Sequence, residues 1–528
     1  MAVRQRVRWR ALRVRRAVPV LAVLTVLGLV VGACGGGAAA PAGADDGTPQ
    51  RGGTVVFSWN SDPQTLDAVR CGNAVAWGAC QAIYGTLMNY DAGTGRFSPG
   101  MAESFTSDDG KVWTLKLREG VKFSDGTPFD AAAVVFNWDR AKDPVNLSPG
   151  ASVARNMTYA AVDARTVRVT LPQSNWQLPW SLYIELAFIG SPTAIQQKGQ
   201  DFANAPVGAG PFVFTAWARG TRLDLSRNPT YWDQPRPYVD AIAFAPIGAD
   251  DQRLNALRAG NITVMSTLTD EYSDRATSEG FADHTMPSFG GVGVRVSWKQ
   301  GPLADPDVRM AIAKLIDPVQ INNALYKGAP APATFSPPGS TWFDPNAVFP
   351  QQDVPGAQAL IDGYRARNGG GDVVITYRLV GGIPLQDQVA QLFQAQVQRV
   401  SGLKLQIVAL DIGAFVGDLN SGNYQLILNG FNGVNTDALY ELFHTGASQN
   451  QAGYSDPATD AALERARQTN DPAQQLAAYQ QAMEHIAANV GHRAWRYQTT
   501  HLLSKDTVHG IQPNFNYFLR SDLVWIQQ

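Results

Sequence analysis

Residues 101–140 read MAESFTSDDGKVWTLKLREGVKFSDGTPFDAAAVVFNWDR, a strand, a tight turn and a helix start in close succession. Positions 112–117 alternate apolar and polar side chains, which predicts a half-buried strand. Ser124-Asp125-Gly126-Thr127-Pro128 is a turn, with Gly126 free to take a positive φ and Pro128 fixing its own. Asp130 is placed to cap a helix whose inner face carries Val134, Val135 and Trp138. None of these residues performs chemistry.

Similar blocks lie on either side. A first strand at 52–59 runs into Ser61-Asp62-Pro63-Gln64-Thr65-Leu66-Asp67. Residues 208–232 (GAGPFVFTAWARGTRLDLSRNPTYW) hold two alternating runs joined at Gly220, a hairpin pattern. Asp250 then caps a short helix that stops at Gly260. In DPDVRMAIAKLIDPVQI (305–321), Pro306 suits a first helical turn and Val308, Ile312 and Leu315 share one face. From 373 onward strand and helix alternate: strand 373–379, helix 386–400, strand 403–410, helix 414–420, strand 424–428. That alternation predicts a largely parallel sheet. Asp471-Pro472 starts a long helix with Leu476, Tyr479, Met483, Ile486 and Val490 as its core stripe.

In order and wording, these blocks (AES, W-T-x-x-L-R-x-G-V-x-F, F-S-D-G-T-P-F-D and S-D-P-x-T-L-D) closely resemble the extracellular solute-binding proteins of bacterial ABC importers, family 5, the oligopeptide, dipeptide and nickel type. The resemblance implies an α/β fold of the periplasmic-binding-protein kind, with two hinged lobes and an extra small domain. On that pattern, residues 52–84, 191–288 and 500–528 form lobe I, 85–190 the small domain and 289–499 lobe II. It also implies a binding receptor rather than an enzyme, with no cofactor, acting as a monomer beside separate permease and ATPase subunits.

The N-terminus predicts export. Arg4, Arg6, Arg8, Arg10, Arg13, Arg15 and Arg16 precede an apolar run over 17–31, too short for a spanning helix. Val31-Gly32-Ala33-Cys34 resembles a lipoprotein box, which makes 1–33 a signal peptide and Cys34 the lipidated residue. Residues 34–51 are then a flexible tether, and the expected location is the outer face of the cytoplasmic membrane. An ordinary cleaved signal is the blander alternative, and Arg15-Arg16 leaves twin-arginine export open beside the general route. Without the seven arginines the formal charge of −2 becomes about −9. An exported acidic domain is a poor partner for nucleic acid. Cys71 and Cys80, in an oxidising compartment and with no His, Asp or Glu between 69 and 81, predict a disulfide rather than a metal site.

Enzyme signatures are missing: there is no phosphate loop, G-x-S-x-G, H-E-x-x-H or CxxC. The six histidines are scattered, and a metal-ligating set is not expected. Ligands of open α/β sheets sit beyond the carboxyl ends of strands, which singles out Asn429-Gly430-Phe431-Asn432-Gly433-Val434-Asn435-Thr436-Asp437. Peptide-binding members of the family carry a pattern like G-W-x-A/G-D there, the Asp pairing with the peptide ammonium. Here Phe431 takes the aromatic position and Val434 stands where the acid would be. A buried ammonium without a counter-charge costs several kcal/mol, which disfavours ordinary free peptides. Phe431, Asn432 and Asn435 are the expected ligand contacts from this loop, joined by Asn73 and Trp77 from the disulfide loop. Aromatic and amide groups suit oligosaccharides, blocked or cyclic peptides, or opine-like solutes. The rivals are a peptide receptor with its anchor displaced to Asp437, a nickel-complex receptor and, from another class, a secreted hydrolase.

Overall fold

The computed structural model describes residues 47–72, 74–91, 95–287, 289–433, 435–513 and 519–528. The signal peptide, Cys34, most of the tether, Asn73 and Val434 lie outside these residues. Three sheets organise the chain. A seven-stranded sheet runs, in spatial order, Ala282–Pro287, Thr499–Ser504, Val264–Thr267, Thr54–Ser58, Ala241–Phe244, Arg222–Arg227 and Phe212–Ala218. Its central strand Thr54–Ser58 is parallel to both neighbours, while the Phe212–Arg227 hairpin closes one edge around Gly220 at φ 70°.

The quoted stretch belongs to a four-stranded antiparallel sheet, ordered Ala102–Ser107, Val112–Leu117, Thr166–Thr170 and Thr158–Asp163. Asp130 accepts from the Ala133 N–H at 2.9 Å and starts the helix Ala131–Lys142. Val134 and Trp138 are buried against the sheet, and Val135 is half-buried. Asn137, fully buried on the same helix, clamps the returning chain: its amide donates to the Gly190 carbonyl at 2.9 Å and accepts from the Gly190 N–H at 3.1 Å. A buried amide is retained only when both its ends are bonded.

The third sheet runs Leu403–Leu410, Val373–Val380, Leu426–Gly433, Phe289–Val296 and His492–Arg496. It is mixed, which corrects the expectation of a largely parallel sheet. Val373–Val380 is parallel to both neighbours, but Phe289–Val296 is antiparallel to the two strands beside it. Local α/β alternation reports only the 373–433 stretch; Phe289–Val296 and His492–Arg496 join from far along the chain. Gly293 permits the central pairing, since a Cβ there would lie 2.0 Å from the Arg493 carbonyl. The predicted strand 424–428 starts later and runs longer, so residues 429–433 are ladder rather than loop.

Two helix ends also differ from expectation. Asp250 is the first residue of the helix Asp250–Ala259 rather than its cap; it sits after Ala249 and pairs with Arg253 one turn on. In the helix Pro472–Ala488, Asp471 caps through the N–H groups of Ala473 and Gln474, and Tyr479, Met483 and Ile486 are buried, but Val490 lies beyond the helix in a left-handed conformation (φ 58°). The disulfide Cys71–Cys80 is formed, staple-like, across the start of the helix Ala74–Tyr84.

The chain passes between the first and third sheets twice, from Ala282–Pro287 to Phe289–Val296 and from His492–Arg496 to Thr499–Ser504. The two crossings run side by side, because each strand pairs with its counterpart antiparallel. An ion cluster bridges them. Arg496 reaches Asp270 at 2.6 Å, and His501 holds Asp270 at 3.1 Å and Asp283 at 2.7 Å.

Candidate functional site

A cavity of about 720 Å³ opens between the two sides of the molecule. Gly72, Pro149, Ile184 and Glu185 border it on one side; Phe289, Arg295, Asn429, Gly430, Asn435, Ala438, Glu441 and Gln449 are among its borders on the other. The second group comes from the third sheet and the segment leaving Leu426–Gly433, the strand end at which an open sheet offers its ligand crevice. A smaller cavity of about 310 Å³ adjoins it through Glu441, and beside it the Trp176 N–H donates to the Arg467 carbonyl at 2.7 Å.

The sequence-predicted residues fall as follows. Asn435 lines the large cavity, and its side-chain oxygen accepts from the Asp437 N–H at 3.0 Å. Asn429 lines it too and spends its oxygen on the Gly430 N–H at 2.9 Å. In both, the oxygen is spent on the backbone, which leaves the amide NH2, a donor, as the group not engaged by these bonds. Phe431 and Asn432 pair through their backbones with Gly291 and Gly290 next to the cavity-lining Gly430; their side chains, like Asn73 and Val434, lie outside the described residues. Trp77 is fully buried, its ring 5.3 Å from Tyr183 and 5.4 Å from Phe188, and does not border the cavity. It belongs to the buried apolar cluster that also holds Tyr84, Tyr183 and Phe188.

Asp437 is committed elsewhere. It is 4% exposed, and Arg467 grips both its oxygens at 2.7 and 2.9 Å while the Tyr479 hydroxyl donates at 3.3 Å. Arg467 also reaches Glu441 at 2.9 Å and lies 3.3 Å over the Tyr440 ring. Burial works against this guanidinium's charge, but Asp437 and Glu441 outweigh it and hold its pKa above the ordinary value. An acid so neutralised has no charge left for a ligand ammonium.

Besides Glu441, two ionisable groups that sequence reasoning did not single out border the cavity. Glu185 follows the helix Leu178–Ile184, and desolvation, reinforced by the negative charges of Glu441 and Asp437 and opposed by Arg467, pushes its carboxyl up to about 8. Arg295 projects from Phe289–Val296 and is 2% exposed. It donates through one terminal nitrogen to the carbonyls of Gln449 (2.8 Å) and Leu442 (3.5 Å). Its Nε has no hydrogen-bond partner, and no carboxylate forms an ion pair with it among the described residues. Burial lowers its pKa. Each had a visible signal: an arginine inside the apolar, glycine-rich strand GVGVRV, and a glutamate inside the apolar run LYIELAF.

Among the described residues that border the cavity there is no histidine or lysine, and Ser448 donates to Glu441 at 3.1 Å. The cavity presents donors and acceptors on opposing walls, the arrangement of a binding cleft.

Comparison with known proteins agrees. The glutathione-binding protein GsiB of Shigella dysenteriae serotype 1 (strain Sd197) is 28% identical over 457 residues, covering 82% of this chain and 86% of the relative. Among solved structures, the ABC transporter-associated periplasmic binding protein DppA from Helicobacter pylori, in complex with the peptide STSA, superposes with a TM-score of 0.77 at 22% identity, covering 91% of this chain and 99% of that one. The binding protein AgaA in complex with agropinic acid, from A. tumefaciens R10, gives a TM-score of 0.78 at 22% identity, covering 90% and 99%. The model of the bacterial extracellular solute-binding proteins, family 5 (middle region), matches residues 96–453, well over half of the sequence, and the chain belongs to that family.

Proposed function

We propose that this chain is the solute receptor of an ABC importer, exported, tethered to the outer face of the cytoplasmic membrane through a lipidated Cys34, and monomeric. It closes about its hinge on a small peptide-like, or otherwise amide- or hydroxyl-rich, solute and passes it to separate permease and ATPase subunits. The observation that carries this reading is the cavity of about 720 Å³ with walls from both sides of a two-strand hinge. Its size falls within the roughly 300–1,000 Å³ of small-molecule sites. Closure then follows from the ligand's preference for the state in which both walls touch it.

Ordinary free peptides are the disfavoured ligands, because position 434 is valine and Asp437 is engaged by Arg467. One observation favours the rival. Glu185 offers an acid from the opposite wall, and ionising it at pH 7 for an incoming ammonium costs roughly 1.4 kcal/mol given a pKa of about 8. Calorimetry of di- to pentapeptides in buffers of different ionisation enthalpy separates the two. Submicromolar binding with release of about one proton, lost in Glu185→Gln, supports the rival. For the receptor reading itself, ligand-stripped protein is exposed to yeast extract. A retained small molecule that raises the unfolding midpoint supports it, and failure to retain any compound counts against it.

A further inference from the structure

We infer that the ligand of this cavity carries a carboxylate, and that Arg295 is the residue that receives it. The inference deepens the receptor reading and rests on it. A guanidinium has five N–H donors in a planar fork matched to a carboxylate. Only one terminal nitrogen of Arg295 is used by the protein, on the Gln449 and Leu442 carbonyls; its Nε and other terminal nitrogen have no acceptor among the described residues. A buried cation without a counter-charge is costly, and native structures pair such groups. Elsewhere in the described chain, Arg467, Arg496 and Arg520 meet carboxylates at 2.6–2.9 Å, while the buried Arg309 and Arg493 bond backbone carbonyls and do not border this cavity.

The surroundings favour an anion. Asn429 and Asn435 line the same cavity with their amide oxygens already bonded to backbone N–H groups, and Arg493, also buried and without a carboxylate partner among the described residues, lies behind the same strand pair. His492 between them is held neutral, burial and the two arginines lowering its pKa to about 4. Of the cavity's acids, Glu441 pairs with Arg467 at 2.9 Å, and neither Glu441 nor Glu185 forms an ion pair with Arg295. The positive end of the cavity is therefore left for the ligand to neutralise.

The bland alternative is that Arg295 only staples the end of the helix Ala438–Phe443 to the Gln449 turn. The test uses the full chain, stripped of ligand and incubated with yeast extract or with the same extract after methyl esterification; retained compounds are identified by mass spectrometry. The wild type should retain only compounds with at least one free carboxylate, and nothing that esterification has masked. Arg295→Gln should weaken binding of the retained compound roughly a hundred-fold or more, and Arg295→Lys less. Its ligand-free unfolding midpoint should hold or rise, since an unpaired buried charge has been removed. A lowered midpoint with unchanged affinity means a structural staple and overturns the proposal. Retention of a compound without a carboxylate overturns it while leaving the receptor reading intact. Retention of nothing from either extract sinks both. Should Arg295→Gln fail to fold, the esterified and free extracts on the wild type decide alone.

Discussion

Replacing Arg467 with methionine strands Asp437 inside the protein. The aspartate is 4% exposed and would keep only the Tyr479 hydroxyl at 3.3 Å. Breaking one side of a buried pair costs roughly 3–5 kcal/mol, and the Arg467 side chain keeps 16% of its surface in contact with solvent, so the lower end, about 3 kcal/mol, is expected. Adding Asp437→Asn to the methionine variant removes the stranded charge and should recover about 2 kcal/mol. Urea unfolding followed by tryptophan fluorescence, with its slope checked for a single transition, gives all four corners of the cycle. Asp437→Asn alone should leave the affinity for the retained solute within about threefold, because its partner is Arg467 rather than the ligand. A double variant no more stable than Arg467→Met, or a collapse of ligand affinity in Asp437→Asn with stability preserved, would refute the pairing and restore the displaced-anchor idea.

Glu185 binds its proton more tightly in the folded protein (about 8) than unfolded, so its contribution to stability is intact below its ordinary value of 4.5 and falls as pH rises towards 8; Glu185→Gln should flatten that fall in thermal unfolding across pH 4–9. His501, raised to about 9 by Asp270 and Asp283 against the opposing effect of burial, supports the fold fully below pH 6.5 and loses that support as pH rises to 9; His501→Gln should reduce the pH dependence in that window, most clearly between pH 8 and 9 where Glu185 no longer contributes, and an unchanged profile would count against the cluster. Cys71 and Cys80 should resist alkylation until reduced, and reduction should lower stability by about 2–3 kcal/mol, as for a short closed loop. Cys34→Ala should move the mature protein from the membrane fraction to the medium, and an unchanged distribution removes the lipid anchor.

Local rules made much of the fold legible. The Asp130 cap, the hairpin at Gly220 and the Pro306 helix start all follow from neighbours in sequence, and the structure has them. Sheet direction in the 289–499 region was not legible, because Phe289–Val296 meets Leu426–Gly433 and His492–Arg496 only through the fold. The site shows the same boundary. The strand end carrying Asn429 and Asn435 could be found from alternation and strand order, and both line the cavity. Trp77 could not be oriented, since its facing depends on Tyr183 and Phe188, more than a hundred residues away. Glu185 and Arg295 gain meaning when Leu186, Val294 and Val296 beside them are seen to be core while they border the cavity.

The paired crossings at Ala282–Val296 and His492–Ser504 have a mechanical consequence. Two adjacent antiparallel strands bend and twist readily across their width but resist sliding, since a slip of one residue would break the ladder and turn every side chain over. If the chain closes as proposed, two such crossings favour bending over sliding, like a door on a two-leaf hinge. In the proposed importer, a permease would need to sense only that bending to distinguish a loaded protein from an empty one, whatever the solute inside. Changes of ligand preference can then accumulate in the walls without altering the signal sent to the membrane.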